Sequence, residues 1–274
     1  MGKKIRLDIL LVERGLIETR EKAKRTIMAG LVFQEQARLD KPGQKVDESI
    51  ELTIKGKAIP YVSRGGLKLE KALHEFSLDL KEKVMIDIGS STGGFTDCGL
   101  QNGVTLSYAV DVGYNQLDWK LRNHDQVIVM ERTNFRYMKP EDLKHGQPEF
   151  ASIDVSFISL RIILPVLATL LKKESDVVAL IKPQFEAGRD QVGKKGIVKD
   201  PKIHKHVLDN ILTFAKSHGF SINGLTYSPI TGGDGNIEFL AHLHYPGEQA
   251  GNDNTNVEIN TIVKEAHDKH KKLT

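Results

Sequence analysis

Asp87-Ile88-Gly89-Ser90-Ser91-Thr92-Gly93-Gly94-Phe95-Thr96-Asp97 is the stretch from which the fold can be read. It ends the apolar run Val84–Ile88, which has the composition of a buried strand, and it opens a segment with helical character. Glycine is needed where backbone approaches a ligand closely or turns with positive φ. The next acidic strand end is Asp111, where a carboxylate can accept hydrogen bonds from the two hydroxyls of a ribose. The glycine spacing, G-x-x-x-G-G, lacks the second glycine of the dinucleotide fingerprint, which lets a pyrophosphate sit on the helix terminus. A nucleoside cofactor without a pyrophosphate, such as S-adenosylmethionine, fits better. The cofactor-binding candidates are Asp87, Gly89, Ser90, Gly93, Gly94, Phe95, Thr96 and Asp111, joined by Asn134 and Asp154 after later strands.

Outward from this loop, strand and helix signals alternate. Strands are expected at Val84–Ile88, Leu106–Val110, Val127–Met130, Phe150–Asp154 and Val177–Ile181. A helix precedes the first of them, with Leu69, Ala72, Leu73 and Phe76 at helical spacing. Further helices are expected at Leu160–Leu171, where Pro165 makes the pattern imperfect, and over 202–216. The last strand, Ile237–Leu243, alternates Ile237, Phe239, Ala241 and Leu243 on one face. Such alternation predicts an α/β fold with a mainly parallel sheet and helices on both sides. Ligands of such sheets sit beyond the carboxyl ends of the strands, where Asp154 and Lys182 lie. If the last strand runs antiparallel beside the fifth, Glu238 starts at the same edge.

Toward the amino terminus, residues 7–14 read as a short helix stopped by Gly15, and a second runs from a Thr19 cap to Ala29-Gly30. Strand-like pieces follow at Leu31–Phe33 and Ile50–Ile54, the latter after the turn-rich Lys41–Val46. Residues 1–60 carry 13 Lys/Arg against 9 Asp/Glu, whereas the remainder carries 26 against 27. A basic excess at one end suits contact with phosphates. Division is expected into 1–59, a linker over 60–66, a catalytic domain over 67–245 and a tail over 246–274. The tail opens with a flexible Pro246–Asp253 and closes with a helix over 256–272. No apolar run approaches the roughly 18 residues of a membrane span, and Asp8, Glu13 and Arg14 interrupt any signal peptide, so a cytoplasmic protein is expected. Cys98 is the sole cysteine, which excludes an intrachain disulfide and a Cys-based metal cluster; no metal is expected.

The amino-terminal pattern resembles the alpha-L, ribosomal S-four-type RNA-binding domain in Arg6-Leu7-Asp8, Leu11–Leu16, Thr19–Ala23 and Ile27–Val32. That resemblance implies an electropositive face of Arg6, Arg20, Lys22, Lys24 and Arg25 for structured RNA, with phosphate contacts that orient rather than read sequence. The glycine loop is similar to motif I of the FtsJ-type RNA 2′-O-methyltransferases, whose Lys-Asp-Lys-Glu order is met by Lys68, Asp154, Lys182 and Glu238. Three of these converge from topology; Lys68 is placed mainly by the resemblance. Together the two halves resemble the TlyA-type proteins over residues 5–245. The linker Tyr61–Leu69 and the runs Asp154–Leu160, Ile181–Glu186 and Gly232–Glu238 all fit that pattern.

The resemblance implies a Rossmann-like class I methyltransferase sheet behind a small α/β RNA-binding domain. It further implies S-adenosylmethionine-dependent methylation of cytidine 2′-hydroxyls in RNA of one or both ribosomal subunits. Residues 61–64, Arg64 among them as an RNA-binding candidate, would couple RNA docking to cofactor binding. Lys182 would contact the 2′-oxygen, as a base or as a cation stabilising the alkoxide, oriented by Asp154 and Glu238. Amino-group methylation fits less well, because Asp154-Val155-Ser156-Phe157 lacks the prolines of that site. Two other classes stand beside the enzyme: a membrane-active protein, suggested by the family's historical haemolysin label, and a non-catalytic RNA-binding assembly factor. The first lacks a spanning or barrel pattern; the second is opposed by the intact loop and tetrad.

Overall fold

The computed structural model describes residues 4–28, 30–35, 37–55, 59–232, 235–247 and 257–271, and the chain divides into two compact units, Met1–Gly65 and Gly66–Thr274. The first unit holds strand β1 (Lys4–Arg6), helices α1 (Leu7–Glu13) and α2 (Arg20–Met28), and strands β2 (Val32–Gln34), β3 (Ala37–Leu39), β4 (Lys45–Asp47) and β5 (Thr53–Ile54). The expected cap is present: Thr19 Oγ1 accepts from the Lys22 amide at 3.2 Å. At Gly15 (φ +64°) the Gly15 and Leu16 amides return to Val12 and Leu11, a left-handed closure that ends α1 where glycine was read as the stop. Leu7, Leu10, Leu11, Ala23, Ile27 and Val32 form the centre of its small core. The structure corrects the strand reading here. Only Thr53–Ile54 of the expected Ile50–Ile54 is strand, Lys45–Asp47 of the turn-rich stretch pairs with Lys4–Arg6, and Ala37–Leu39 returns against β2. Ala29 of the matched pattern lies outside the described residues.

The second unit begins with α3 (Gly66–Glu75) and builds a seven-stranded sheet from β6 (Val84–Ile88), β7 (Leu106–Val110), β8 (Val127–Met130), β9 (Phe150–Ile153), β10 (Ser175–Ile181), β11 (Ser221–Tyr227) and β12 (Phe239–Tyr245). Their order is β11-β12-β10-β9-β6-β7-β8. The run from β8 through β10 is parallel, and β12 is antiparallel to both its neighbours. Between the strands lie α4 (Gly94–Gln101), α5 (Trp119–Arg122), α6 (Leu160–Leu170), α7 (Pro183–Glu186) and α8 (Pro201–Ser217), with α9 (Ile259–Lys271) last.

Alternation along the strands gives the sheet two apolar faces. Ile86, Ile88, Ala151, Ile153, Ala179 and Ile181 share a core with residues of α6 and α8. Met85, one position out of phase, meets α4, where a Cβ at Gly99 would stand 2.5 Å from its sulfur. Helix α6 carries Pro165 within it and still buries Leu160, Ile163, Leu164, Leu167 and Leu170. The last strand begins at Phe239 rather than Ile237, which leaves Glu238 on the residue before it. Strand β11 was not expected at all. Helix α9 falls within the expected 256–272 and packs on α8 and β11, burying Val263 and Ala266 in the main core; most of the expected flexible stretch, 248–253, lies outside the described residues.

Candidate active site

The chain leaves β6 outward through β7 and β8 and returns to β9 on the other side, so a crevice opens beyond the carboxyl ends of β6 and β9. There the two loops touch. Gly89 has φ +83°, and a Cβ on it would stand 2.4 Å from the Asp154 carbonyl oxygen. Any side chain would push the β9 loop away, so this glycine is required by close approach as well as by its left-handed backbone.

A cavity of about 680 Å³ occupies the crevice, within the size range of small-molecule sites. Gly89, Asp111, Asn134 and Asp154 line it, with Ser91, Gln116, Phe135, Ser156 and Phe157 among their neighbours. The Asp111 carboxylate is held by the Ser91 amide (2.8 Å) and the Gly113 amide (2.7 Å), an acceptor fixed at the rim for a hydroxyl pair. Asn134 Oδ1 accepts from the Arg136 amide at 3.2 Å and so caps the turn Phe135–Tyr137.

The remaining cofactor candidates stand behind this lining. Asp87 is fully buried and accepts from the Thr96 amide (3.0 Å), the Thr96 hydroxyl (2.7 Å) and the Ser152 hydroxyl (2.8 Å). Burial pushes its carboxyl up to about 6, against the pull of those hydrogen bonds. Gly93 (φ +95°) admits Leu121, whose Cδ1 a Cβ would meet at 2.3 Å. Ser90, Gly94, Phe95 and Thr96 are buried in the turn and the start of α4. Asp87 thus takes one amide of the first turn of α4, at Thr96. A carboxylate acceptor at the rim and an apolar wall of Val110, Phe135 and Ile163 fit S-adenosylmethionine.

Around Asp154, which lines the cavity, the four tetrad residues meet, although Lys68 and Glu238 are 170 positions apart. Lys68 Nζ donates to Glu238 Oε2 at 2.7 Å and lies 3.4 Å from Asp154 Oδ2. Lys182 Nζ lies 2.5 Å from Asp154 Oδ1 and donates to Ser156 Oγ at 3.1 Å. Asp154 thus bridges two lysines, and all four side chains are largely withdrawn from solvent. Burial alone would lower Lys68, but the carboxylates of Asp154 and Glu238 outweigh it and hold the ammonium above its ordinary value. Burial likewise works against ionised Asp154, and the charges of Lys68 and Lys182 overcome it, so its carboxyl lies below the usual range.

Two neighbours were not read from the sequence as site residues. Ser156 shares the Lys182 ammonium, and Phe157 projects from the same loop at φ +62° with 91% of its surface exposed. Its ring lies 4.9 Å from that of Phe185, which adjoins Lys182. An exposed aromatic on strained backbone at a cavity mouth is a signal only coordinates supply. Glu186 accepts from the Ser159 hydroxyl (2.6 Å) and the Leu160 amide (2.8 Å), fastening α7 to the start of α6.

In the amino-terminal unit, Arg6 and Arg20 both converge on buried Asp8, each with Nε at 2.9 Å from the carboxylate. Lys22 pairs with Glu18 at 3.2 Å and Lys24 with Glu21 at 2.7 Å, while Arg25 is half-buried on the same helix. Arg64 is half-buried, one residue before the end of the unit.

A seven-stranded sheet with one reversed strand, a carboxylate fixed after its second strand and a cavity at its switch point define a class I, S-adenosylmethionine-dependent methyltransferase. Comparison with known proteins agrees. Residues 61–245 match the model of the FtsJ-like methyltransferases and residues 5–51 that of the S4 domain. The chain belongs to the FtsJ-like methyltransferase family, in its TlyA-type branch, and is an RNA-binding enzyme by its S4 domain. It is 66% identical to YqxC of Bacillus subtilis, provisionally named an rRNA methyltransferase, over 97% of this chain and 95% of that one. It is 38% identical to the 16S/23S rRNA (cytidine-2′-O)-methyltransferase TlyA of Mycobacterium tuberculosis over 91% and 93%. A solved structure from Streptococcus thermophilus, provisionally named a hemolysin, superposes with a TM-score of 0.80 at 55% identity, covering 100% of this chain and 99% of that one. Among the described residues no helix is long and apolar enough to cross a membrane.

Proposed function

We propose that this enzyme methylates the ribose 2′-hydroxyl of cytidine in ribosomal RNA, within the small subunit, the large subunit or both, in the cytoplasm. The observation that carries the reading is the buried Lys68–Asp154–Lys182 bridge beside the cofactor cavity, closed by Glu238. The names of the M. tuberculosis relative and of a Campylobacter jejuni relative support the ribosomal cytidine. When bound, S-adenosylmethionine supplies a methyl group made electrophilic by its sulfonium.

The protein's task is then to present the 2′-oxygen and manage its proton. Lys182 contacts that oxygen, taking its proton as a neutral amine or stabilising the alkoxide as an ammonium, while the carbon–oxygen bond forms, the methyl–sulfur bond breaks and the thioether S-adenosylhomocysteine leaves. Asp154 fixes Lys182 in place through one oxygen and Lys68 through the other, and Glu238 holds Lys68, so the ammonium positions are set before RNA arrives. Asp111 takes the cofactor ribose, with Gly89 and Asn134 shaping its seat. Phe157 offers a face on which an unstacked base can lie. Arg6, Arg20, Lys22, Lys24, Arg25 and Arg64 hold RNA phosphates.

The test is incubation with tritiated S-adenosylmethionine and each isolated ribosomal subunit, followed by mapping of the labelled position. Label on a ribose 2′-oxygen, lost in Lys182→Ala while cofactor affinity stays within about threefold, is the expected outcome. Label on a base, or turnover retained by Lys182→Ala, would overturn the assignment.

A further inference from the structure

Between α7 and α8 runs a connection, residues 187–200, irregular apart from one 3-10 turn at Arg189–Gln191, that the chemistry described above does not use. Connections of this length inside a compact domain are uncommon and usually functional. From Gly188 to Lys205, this connection and the start of α8 carry Arg189, Lys194, Lys195, Lys199, Lys202 and Lys205 against Asp190 and Asp200 alone. Asp200 is spent on the Lys202 amide at 2.8 Å, as the cap of α8.

The segment has a built shape. The Gly193 amide donates to the Ile197 carbonyl at 3.1 Å and the Gly196 amide to the Gly193 carbonyl at 2.8 Å, closing a tight turn with Lys194 and Lys195 at its tip. Gly196 sits at φ +71°, where a side chain would be strained. Lys194, Lys195 and Lys199 are exposed, and among the described residues none of the three pairs with a carboxylate. The lysines of α2 are different, since each leans on a glutamate.

One buried side chain holds this turn. Asn236, 2% exposed, accepts from the Val198 amide at 3.0 Å and donates to the Gly196 carbonyl at 2.9 Å. Its own carbonyl accepts from the Gly232 amide at 2.9 Å. Asn236 lies two residues before Glu238, whose carboxylate packs so closely on Gly232 that a Cβ there would stand 2.6 Å from Oε1. The lysine turn is therefore fastened to the segment that carries the tetrad glutamate. Gly233 and Asp234, between the two, lie outside the described residues.

We propose that the turn at 193–199 is a second RNA-docking element, built into the catalytic unit, that holds the phosphodiester backbone beside the target nucleotide. Asn236 is its positioning residue. The inference rests on the RNA methyltransferase reading above. Three exposed ammonium groups on a fixed turn suit phosphates spaced along a strand, and a polyanion releases condensed counterions when they bind. The arrangement separates two duties: the S4 domain recruits the RNA, and the lysine turn sets its path at the tetrad.

The test uses the full chain and ribosomal RNA across a salt series. Replacing Lys194, Lys195 and Lys199 together by Ala should weaken RNA binding at least about tenfold at low salt. The slope of log affinity against log salt should fall by about 2–3. Affinity for S-adenosylmethionine should not move, which shows that the fold persists. Asn236→Ala, which removes no charge, should lower the same slope by about 1 with cofactor affinity kept; a purely structural asparagine would leave the slope alone. An unchanged slope in the triple variant would overturn the proposal. Methyl transfer by the unaltered chain is measured in parallel. If it transfers no methyl to RNA while the triple variant still lowers the slope, the docking element stands and the proposed reaction falls.

Discussion

Asp8 in the amino-terminal unit and Asp154 in the catalytic unit solve the same problem with opposite ends. Each is an acid bridging two cations, and each lies below the ordinary carboxylate range. The Asp8 partners, Arg6 and Arg20, keep 41% and 51% of their side-chain surface in solvent; the Asp154 partners, Lys68 and Lys182, keep 8% and 10%. A buried acid under exposed guanidinium groups aims positive charge outward while fixing its orientation, as phosphate contacts require. A buried acid between buried ammonium groups stores charge where water cannot relax it, so a reacting oxygen placed there meets the full field. Solvent access, more than residue type, separates the proposed docking surface from the proposed chemical centre.

Breaking the inner bridge should have the largest effect. Asp154→Asn leaves two buried ammonium groups without their shared counter-charge. Turnover should fall more than about 1,000-fold, and the catalytic unit should lose about 3–5 kcal/mol, as expected when one partner of a buried pair is removed. Steady-state methylation and urea denaturation check both; turnover within tenfold of the unaltered chain would show that the bridge is not the chemical centre.

The next effect sharpens the comparison through pH. Asp87, also buried but without a cation beside it, is raised from 3.8 to about 6, the reverse of Asp154. An acid raised in the fold costs stability once ionised, so its penalty is absent below the unfolded value of 3.8 and complete above about 6, where it amounts to about 3 kcal/mol. Acidifying from pH 7 to 4.5 should therefore stabilise the catalytic unit relative to Asp87→Asn, read as the difference between their urea midpoints. A difference constant across that range would disprove it.

Asp8 should give the smallest response, with the opposite sign. Its carboxyl is lowered from 3.8 to about 2, mainly by the hydrogen bond from Arg6, so its stabilisation is present above 3.8 and lost as pH falls through about 2. Asp8→Asn at neutral pH should speed amide exchange across residues 4–55 by about tenfold and weaken RNA binding a few-fold, with turnover at saturating RNA unchanged. Loss of saturated turnover would mean that the two acids do not divide the work as described.

The fold was legible where local pattern and final position coincide. The strands from Val84 to Ile181 are apolar runs, buried on both faces except at the edge strand Val127–Met130, and the helices between them follow their stripes. Strand β11 escaped because Ser221-Ile222-Asn223-Gly224-Leu225-Thr226-Tyr227 mixes polar residues with a glycine, and its register shifts between Ile222 and Gly224. The short strands of the first unit, two or three residues each, are defined by their partners rather than by composition. In the site, order along the chain and strand-end topology were enough to bring Asp154, Lys182 and Glu238 together. The split of the glycine-loop residues into cavity lining and supporting packing was not legible, since a buried Asp87 and an open Asp111 look alike in sequence. Nor was the Asn236 clamp, whose partners lie about forty positions away.

The reversed strand also sets a clock. Among the described residues strand β11 pairs only with β12, which is made after it and enters between β11 and β10. As the chain leaves the ribosome, β11 has no neighbour in the sheet until β12 emerges, and Lys68 waits 170 residues for Glu238. An incomplete chain can hold the glycine loop and the cofactor cavity, yet it cannot close the tetrad. On the proposed mechanism, catalytic competence arrives in one late step, and chains cut short before residue 238 should transfer no methyl to RNA even where their first five parallel strands have formed.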